Sequence, residues 1–167
     1  FKHKIQVIEK DEISYEKAEP EKRNENPNRD KFQQDWLNLK DTHAFFPLMK
    51  KHAVTRLQAL ELAPENNGIQ FAKKVSNDVV KKSLEKAAET KTPIMVFAGN
   101  KGMLQIHTGP VTKLLEMKEW YNVMDPDFNL HIRTNSIKEC WLVKKPTSDG
   151  EVNSIEIFNF NEELICT

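Results

Sequence analysis

The sequence lacks the residue patterns that build disulfide scaffolds and zinc sites. Only two of its 167 residues are cysteines, Cys140 and Cys166, and no Cys-x-x-Cys motif occurs. Two cysteines are too few for a disulfide scaffold, so a reducing, cytoplasmic location is the simpler interpretation. Five histidines are present, but without a His-Glu-x-x-His motif. A structural zinc site is therefore not expected.

Charge and hydropathy argue against further classes of protein. The 25 basic side chains balance the 25 acidic ones, which disfavours electrostatic capture of nucleic acid or of an anionic membrane. No apolar run is long enough to cross a membrane, and no signal peptide is visible. The sequence also has no phosphate-binding glycine loop and no Gly-x-Ser-x-Gly motif. Serine-based nucleophilic catalysis is therefore poorly supported.

The composition suits one folded domain preceded by a polar segment. Residues 1–8 include a strand-like run and are expected to be the end strand of a preceding domain. Residues 9–29 carry many charges and few apolar side chains, so we interpret them as a charged linker. Residues 30–167 form the predicted domain. Because the chain begins at Phe1 rather than at methionine, we expect it to be part of a larger protein.

The first half of this domain has the spacing of helices. Phe32, Trp36 and Leu39 predict an amphipathic helix, whose apolar stripe reaches His43 and Phe46 if the helix continues. Pro47 would kink or interrupt such a helix. Asp41 and Thr42 are good caps for a new start.

Two further helices are predicted downstream. Residues 55–58 have the spacing of a capping box, which places Arg56 in a first turn, and Pro64 ends that short helix. Residues 76–90 predict an amphipathic helix. The residues expected on its buried side are Val80, Leu84, Ala87 and Ala88.

From Pro93 onward the sequence has short β-branched or aromatic runs separated by turn residues, which is typical of antiparallel strands. The predicted strands cover residues 94–98, 103–107, 120–124, 128–132, 140–145, 152–158 and 163–166. Helices followed by strands indicate an α+β fold, with N-terminal helices packed on a large antiparallel β-sheet.

Three residues together have the chemistry that an iron porphyrin needs. His43 offers an axial nitrogen in the most aromatic part of the sequence, and Arg56 and Lys145 could neutralise two propionates. Ordinary alternatives remain open at this point. The imidazole could be packed in the core and hydrogen-bonded to the backbone. Each cation could simply be a charged side chain exposed to solvent at the end of its helix or strand.

The other histidines and the cysteines have simpler interpretations. His107 and His131 are expected on polar strand faces, either solvated or hydrogen-bonded. His52 is expected to have a helix-terminal or core role. Cys140 could in principle be a thiolate ligand, but a buried thiol is the better interpretation of its apolar strand.

Several local strings resemble one family. They include the Asp-Thr-His segment at residues 41–43, Thr-Arg at residues 55–56 and Lys-Lys-Pro-Thr at residues 144–147. The strings resemble the cytoplasmic HemS/ChuS-type hemin-degrading or haem-trafficking proteins of Gram-negative bacteria. The strings lie at residues 36–46, 54–59, 93–102, 105–110, 122–131 and 140–150.

The resemblance implies specific expectations. This chain is similar to the C-terminal half of those proteins, and each half has helices packed near one end of a large antiparallel sheet. The resemblance assigns haem b as cofactor, His43 as the axial ligand of the haem iron, and Arg56 and Lys145 as propionate-binding residues. Relatives usually continue into a basic tail and receive a distal arginine from the N-terminal half. Neither feature is present in these residues.

The expected function is haem binding in bacterial haem and iron utilisation. Some members of the family also open the porphyrin ring oxidatively with electrons from an external donor, so degradation is one form that this function could take. No flavin or nicotinamide motif is visible, so turnover would need a partner reductase. The alternatives are a non-catalytic carrier that delivers haem to a separate oxygenase, and an interaction domain without haem. An inner-membrane haem transporter is the expected source. Catalytic residues are not assigned.

Overall fold

The computed structural model describes residues 21–100 and 102–167. The first helix, α1 (Arg29–Leu37), begins at Asn28, whose side chain accepts a hydrogen bond from the backbone N–H of Lys31. It ends at Asn38, so its apolar stripe does not continue to His43. A 3₁₀ turn, Thr42–Ala44, starts instead at Asp41. The capping signal in the sequence is thus confirmed.

Helix α2 (Phe45–Lys51) follows this turn directly and contains Pro47. The proline occupies the first turn of α2, where backbone N–H groups have no intrahelical partner. It therefore does not interrupt α2. The kink was expected only for a continuous helix that reaches past Pro47 from upstream, and the chain forms a 3₁₀ turn followed by α2 instead.

The other two helices lie close to their predicted positions. Helix α3 (Arg56–Glu61) is capped by Thr55, whose hydroxyl accepts the N–H of Gln58 at 3.2 Å. The Gln58 side chain bonds to the backbone of Asn24 rather than returning to the cap. Helix α4 (Val79–Thr90) begins three residues later than predicted and buries its apolar side as expected.

The strands form an antiparallel six-stranded sheet, a three-stranded sheet and a small hairpin, in agreement with the predicted α+β fold. The six-stranded sheet has the order β3-β9-β10-β11-β4-β5. The three-stranded sheet has the order β6-β7-β8, and β1 pairs with β2. The bounds are β1 (Glu65–Asn66), β2 (Ile69–Gln70), β3 (Ala72–Val75), β4 (Ile94–Gly99), β5 (Leu104–Gly109), β6 (Leu114–Met117), β7 (Trp120–Asp125), β8 (Phe128–Arg133), β9 (Glu139–Thr147), β10 (Gly150–Phe158) and β11 (Leu164–Cys166).

The six-stranded sheet separates two hydrophobic cores. On one face, Val143 and Phe158 pack with α1, α2 and α3 around the fully buried Trp36. We call this side the helix face. On the opposite face, Cys140 and Ile157 pack with α4 and the three-stranded sheet. The alternation of side chains along β9 and β10 supplies both cores, because successive residues of a strand point to opposite faces.

The predicted end strand at residues 1–8 and most of the predicted linker lie outside the described residues. Residues 21–28 contain neither helix nor strand. Arg23 nevertheless contacts the domain, because its guanidinium pairs with Glu61 and with Glu162, the latter at 3.1 Å. The predicted domain boundaries remain a prediction. Among the described residues, no helix is both long enough and apolar enough to cross a membrane.

Candidate functional site

His43 lies in the 3₁₀ turn with its imidazole in solvent. Its side chain is 94% exposed, which excludes the alternative of an imidazole packed in the core. One oxygen of Asp41, Oδ1, accepts the backbone N–H of His43 at 2.7 Å and lies 2.7 Å from the ring nitrogen Nδ1. The other ring nitrogen, Nε2, has no hydrogen-bond partner within residues 21–100 and 102–167. The arrangement therefore leaves Nε2 available to a ligand.

The carboxylate of Asp41 is held in its ionised form by these bonds. The backbone hydrogen bond from His43 and then the ring hydrogen bond lower the pKa of Asp41 below its usual value. The negative charge beside Nδ1 is therefore present at neutral pH.

Arg56 and Lys145 converge on a residue that the sequence analysis did not single out, Glu156. The Arg56 guanidinium donates from Nε to Oε2 at 2.6 Å and from Nη2 to Oε1 at 2.9 Å. Lys145 donates from Nζ to Oε1 at 2.7 Å. Glu156 is fully buried. We call these three residues the cation cluster.

The cation cluster carries one net positive charge. Burial alone would raise the pKa of Glu156, but the hydrogen bonds and charges of Arg56 and Lys145 outweigh burial and lower it. Burial lowers the pKa of Lys145, and its attraction to Glu156 opposes that change. The Lys145 side chain is 7% exposed and that of Arg56 is 29% exposed. Neither cation is therefore a charged side chain that is merely exposed to solvent, and Arg56 is the more accessible of the two.

Phe45 joins the histidine to the cation cluster. It is buried and follows His43 by two residues, and its ring packs edge-on against Trp36 with 4.7 Å between ring centroids. Lys145 Nζ lies 4.6 Å from the Phe45 ring centroid, and the Arg56 guanidinium carbon lies 5.7 Å from it. The 3₁₀ turn also contacts β9, the strand that carries Lys145. The three predicted site residues therefore occupy one region of the molecule.

An apolar surface continues from the cation cluster across the helix face. Thr167 exchanges two backbone hydrogen bonds with Phe97, and Ile157 of β10 pairs with Cys166. This register puts Glu156 and Phe97 in one row on the helix face, two strand spacings apart, or about 10 Å. Met95, Leu104 and Ile106 share that face and are each more than half exposed. We call Met95, Phe97, Leu104 and Ile106 the apolar shelf.

The apolar shelf is open rather than enclosed. Helices α1, α2 and α3 pack over β9 and β10 but leave β4 and β5 uncovered on this side. Phe46, which lies on α2 three residues after His43, is 69% exposed. Two surface cavities of about 390 Å³ and 400 Å³ lie elsewhere and include none of His43, Arg56 or Lys145.

The remaining histidines and the cysteines have mostly structural roles. His131 is exposed and hydrogen-bonds Asn122, and the buried His52 side chain bonds Asp35 at 2.8 Å, as expected. The expectation for His107 was wrong. Its ring stacks on Phe128 at 3.8 Å between centroids, and its buried Nε2 has no partner among the described residues. The cause is that this side of β5 packs against the three-stranded sheet.

Cys140 and Cys166 are buried thiols, as predicted for Cys140. Burial raises the pKa of each to about 11. No group of three or more histidine, cysteine or acidic side chains within the described part of the chain could hold a metal ion by itself.

Similarity to known proteins identifies the family. Residues 53–167 match the family described as the haemin-degrading HemS.ChuX domain. The chain belongs to this family. The HemS.ChuX assignment agrees with the similarity in sequence to the hemin transport protein HmuS of Yersinia pestis. The two are 38% identical over 124 residues, which is 74% of this chain and 35% of HmuS.

Solved structures of relatives have the same fold. Holo-PhuS, a heme-binding protein from Pseudomonas aeruginosa, superposes with a TM-score of 0.84 at 43% identity, over 91% of this chain and 43% of PhuS. ChuS, an Escherichia coli heme oxygenase, gives a TM-score of 0.78 at 41% identity, over 84% of this chain and 42% of ChuS. The chain thus spans less than half the length of these relatives. ChuX has the same fold with a TM-score of 0.61 at 12% identity.

Proposed function

We propose that this chain binds haem b on its helix face, with His43 as the axial ligand and with Arg56 and Lys145 neutralising the propionates. The proposed setting is haem and iron utilisation in the bacterial cytoplasm. One observation carries the proposal. Two cations that are distant in sequence converge on one buried carboxylate and on the ring of Phe45, which follows the exposed His43 by two residues, at the edge of an uncovered apolar surface.

The residues present fit the chemistry of a porphyrin. An axial imidazole needs one ring nitrogen with its lone pair available, and the contact of Nδ1 with Asp41 leaves Nε2 for that role. The macrocycle needs apolar area, which the apolar shelf and Phe46 offer. Each square ångström of apolar surface removed from water contributes about 25 cal/mol, so contact with the shelf would be the main source of affinity.

The propionates need positive charge at the edge of that surface. Glu156 uses Nε and Nη2 of Arg56, and Nη1 has no hydrogen-bond partner among the residues described. Arg56 could therefore bind a propionate while it keeps its contact with Glu156. Lys145 lies behind it and contributes mainly its charge, because its amine is buried.

The relatives divide between transport and degradation. HmuS is named a hemin transport protein, and ChuS is described as a heme oxygenase. Haem iron, once reduced by an external donor, supplies the oxygen chemistry that opens the porphyrin ring. In such a reaction His43 would hold the cofactor and the apolar shelf would exclude water from one of its faces. A carrier that passes haem to a separate oxygenase is the second candidate, favoured by the openness of the shelf.

A hemin titration tests the ligand assignment. We expect a Soret shift with the wild-type chain and with His131→Ala, the matched control, since His131 is also exposed but lies on the three-stranded sheet. His43→Ala should change the ferric spectrum and weaken binding by about tenfold or more. No shift in the wild-type chain would support an interaction domain without haem. An unchanged spectrum in His43→Ala would remove His43 as the ligand.

A second experiment separates degradation from transport. The haem complex is incubated with a reductase and catalase, which removes free peroxide. Loss of the Soret band under these conditions would support enzymatic ring opening. Loss that occurs only without catalase would indicate peroxide chemistry and would favour the carrier.

A further inference from the structure

We propose that Asp41 is a positioning residue for the iron ligand. Its negative charge makes Nε2 of His43 a stronger electron-pair donor to the iron, which favours ferric over ferrous haem. The inference rests on the proposed function, because it concerns the same site. It assigns a role to a residue that acts through His43 and is neither the proposed iron ligand nor a proposed propionate-binding residue.

The geometry ties the ring to the backbone through a single oxygen. Asp41 Oδ1 accepts the N–H of His43 at the start of the 3₁₀ turn, and the same oxygen lies 2.7 Å from Nδ1. The backbone bond fixes the carboxylate, since Asp41 is the residue that caps the turn. A carboxylate accepts hydrogen bonds only, so Nδ1 must carry the proton in this contact. The neutral ring then has its lone pair on Nε2.

The carboxylate also changes the electronic character of the ring. A hydrogen bond from Nδ1–H to a negative acceptor raises the basicity of the opposite nitrogen, as carboxylates do for metal-bound histidines in general. A more basic ligand stabilises the more highly charged ferric iron more than the ferrous iron. Covering the exposed pair with an apolar macrocycle would strengthen this interaction, because it removes competing water.

A second aspartate–histidine pair provides a matched control within the same chain. His52 Nε2 lies 2.8 Å from Asp35 Oδ2, and that oxygen also accepts Lys51 Nζ at 2.7 Å. The His52 side chain is only 8% exposed, and its ring packs edge-on against Phe32. The Asp35–His52 pair consists of the same two residue types as the Asp41–His43 pair. It differs because it joins α1 to the end of α2 in the packed part of the domain.

The test compares Asp41→Asn with Asp35→Asn and with the wild-type chain. Asparagine keeps an oxygen that can cap the turn and accept Nδ1–H, but it removes the charge. The readouts are the midpoint potential of bound haem and the iron–histidine stretching frequency of the ferrous complex. For Asp41→Asn we expect the ratio of ferric to ferrous affinity to fall about tenfold. That is a rise of about 59 mV for one electron. The stretching frequency should fall, while Asp35→Asn should leave both unchanged.

With haem bound, two outcomes would overturn the inference, and they can be told apart. If His43→Ala changes the spectrum but Asp41→Asn leaves the potential and the stretching frequency as in the wild type, the ligand assignment stands and the role of Asp41 is wrong. If His43→Ala keeps the wild-type spectrum, the ligand assignment fails and the inference fails with it.

In the protein without haem, nitrogen NMR at about pH 8.5 should show the His43 proton on Nδ1 in the wild type. A proton on Nε2 would also contradict the proposed contact.

Discussion

Replacing Glu156 with alanine should be strongly destabilising, because it removes the anion that holds Arg56 and Lys145. The buried carboxylate accepts three hydrogen bonds of 2.6 to 2.9 Å. Removing one partner of a buried ion pair typically costs about 3–5 kcal/mol, since the remaining charge is left uncompensated. Arg56 can be partly rehydrated, because 29% of its side chain is exposed, but Lys145 cannot. We therefore expect a loss of about 3–5 kcal/mol that arises mainly at Lys145.

This loss can be measured by urea unfolding, with circular dichroism as the signal. A domain of ordinary stability has about 5–15 kcal/mol, so the change would be a large fraction of the total. Glu151→Ala is the matched control, because Glu151 pairs with Lys144 at 2.7 Å across the same two strands while both side chains remain about one-third exposed. That variant should lose about 1 kcal/mol or less. Equal losses in the two variants would refute the reasoning.

A triple replacement separates unpaired charge from lost packing. Arg56→Met, Lys145→Leu and Glu156→Leu together remove every charge of the cation cluster. Exchanging a buried ion set for packed apolar residues is often neutral or stabilising by about 1–4 kcal/mol. The triple variant should therefore recover most of the stability that Glu156→Ala loses, while its haem affinity falls. If it is as unstable as Glu156→Ala, packing rather than electrostatics explains the loss.

Three further predictions follow from the same structure. Thr55→Ala should lower the free energy of unfolding by about 1 kcal/mol, because it removes the cap of α3, and no change in the urea midpoint would contradict this. The lowered pKa of Glu156 means that the unfolded chain binds more protons at acidic pH. Its contribution to stability should be complete above about pH 4.3 and should disappear as the pH falls through the folded-state pKa. The free energies of unfolding of the wild type and of Glu156→Gln, measured in urea, should therefore become equal as the pH falls. A difference between them that stays constant with pH would argue against the lowered pKa of Glu156. Cys140 and Cys166, with pKa values raised to about 11, should react slowly with a thiol reagent near pH 8 until the protein is unfolded.

Local signals allowed much of the fold to be predicted from the sequence. The starts at Asp41 and Thr55 were identified because a capping side chain bonds to an amide two or three residues away. The longer strands were identified because their alternation of apolar and polar residues, and the turn residues on either side, can be recognised within a short segment of sequence. Strands β1, β2, β3 and β6 were not predicted. None is longer than four residues, and β3 contains two exposed lysines, one on each of its faces.

Contacts between distant residues could not be predicted in this way. Arg56 and Glu156 are 100 residues apart, and their pairing depends on the order of strands in the six-stranded sheet. The sequence did contain one signal for Glu156, since a lone acidic residue between Ile155 and Ile157 is unusual in a buried strand. The apolar shelf had no such signal. Large apolar residues on β4 and β5 resemble core positions until the structure shows that no helix covers them.

The cation cluster packs directly on the hydrophobic core of the helix face, which affects ligand binding. Trp36 donates its indole N–H to the carbonyl of Lys144, the residue before Lys145, and packs against Phe45. Phe45 in turn lies beneath both cations and directly after the turn that carries His43. The positions of the imidazole and of the cations are therefore fixed by the packing of α1, α2 and β9 before any ligand arrives. Preorganised groups lose less entropy on binding, because their ordering cost is met during folding. The same coupling means that the site cannot be loosened without loss of core packing, so affinity for an anionic apolar ligand and stability should decrease together in variants of Phe45.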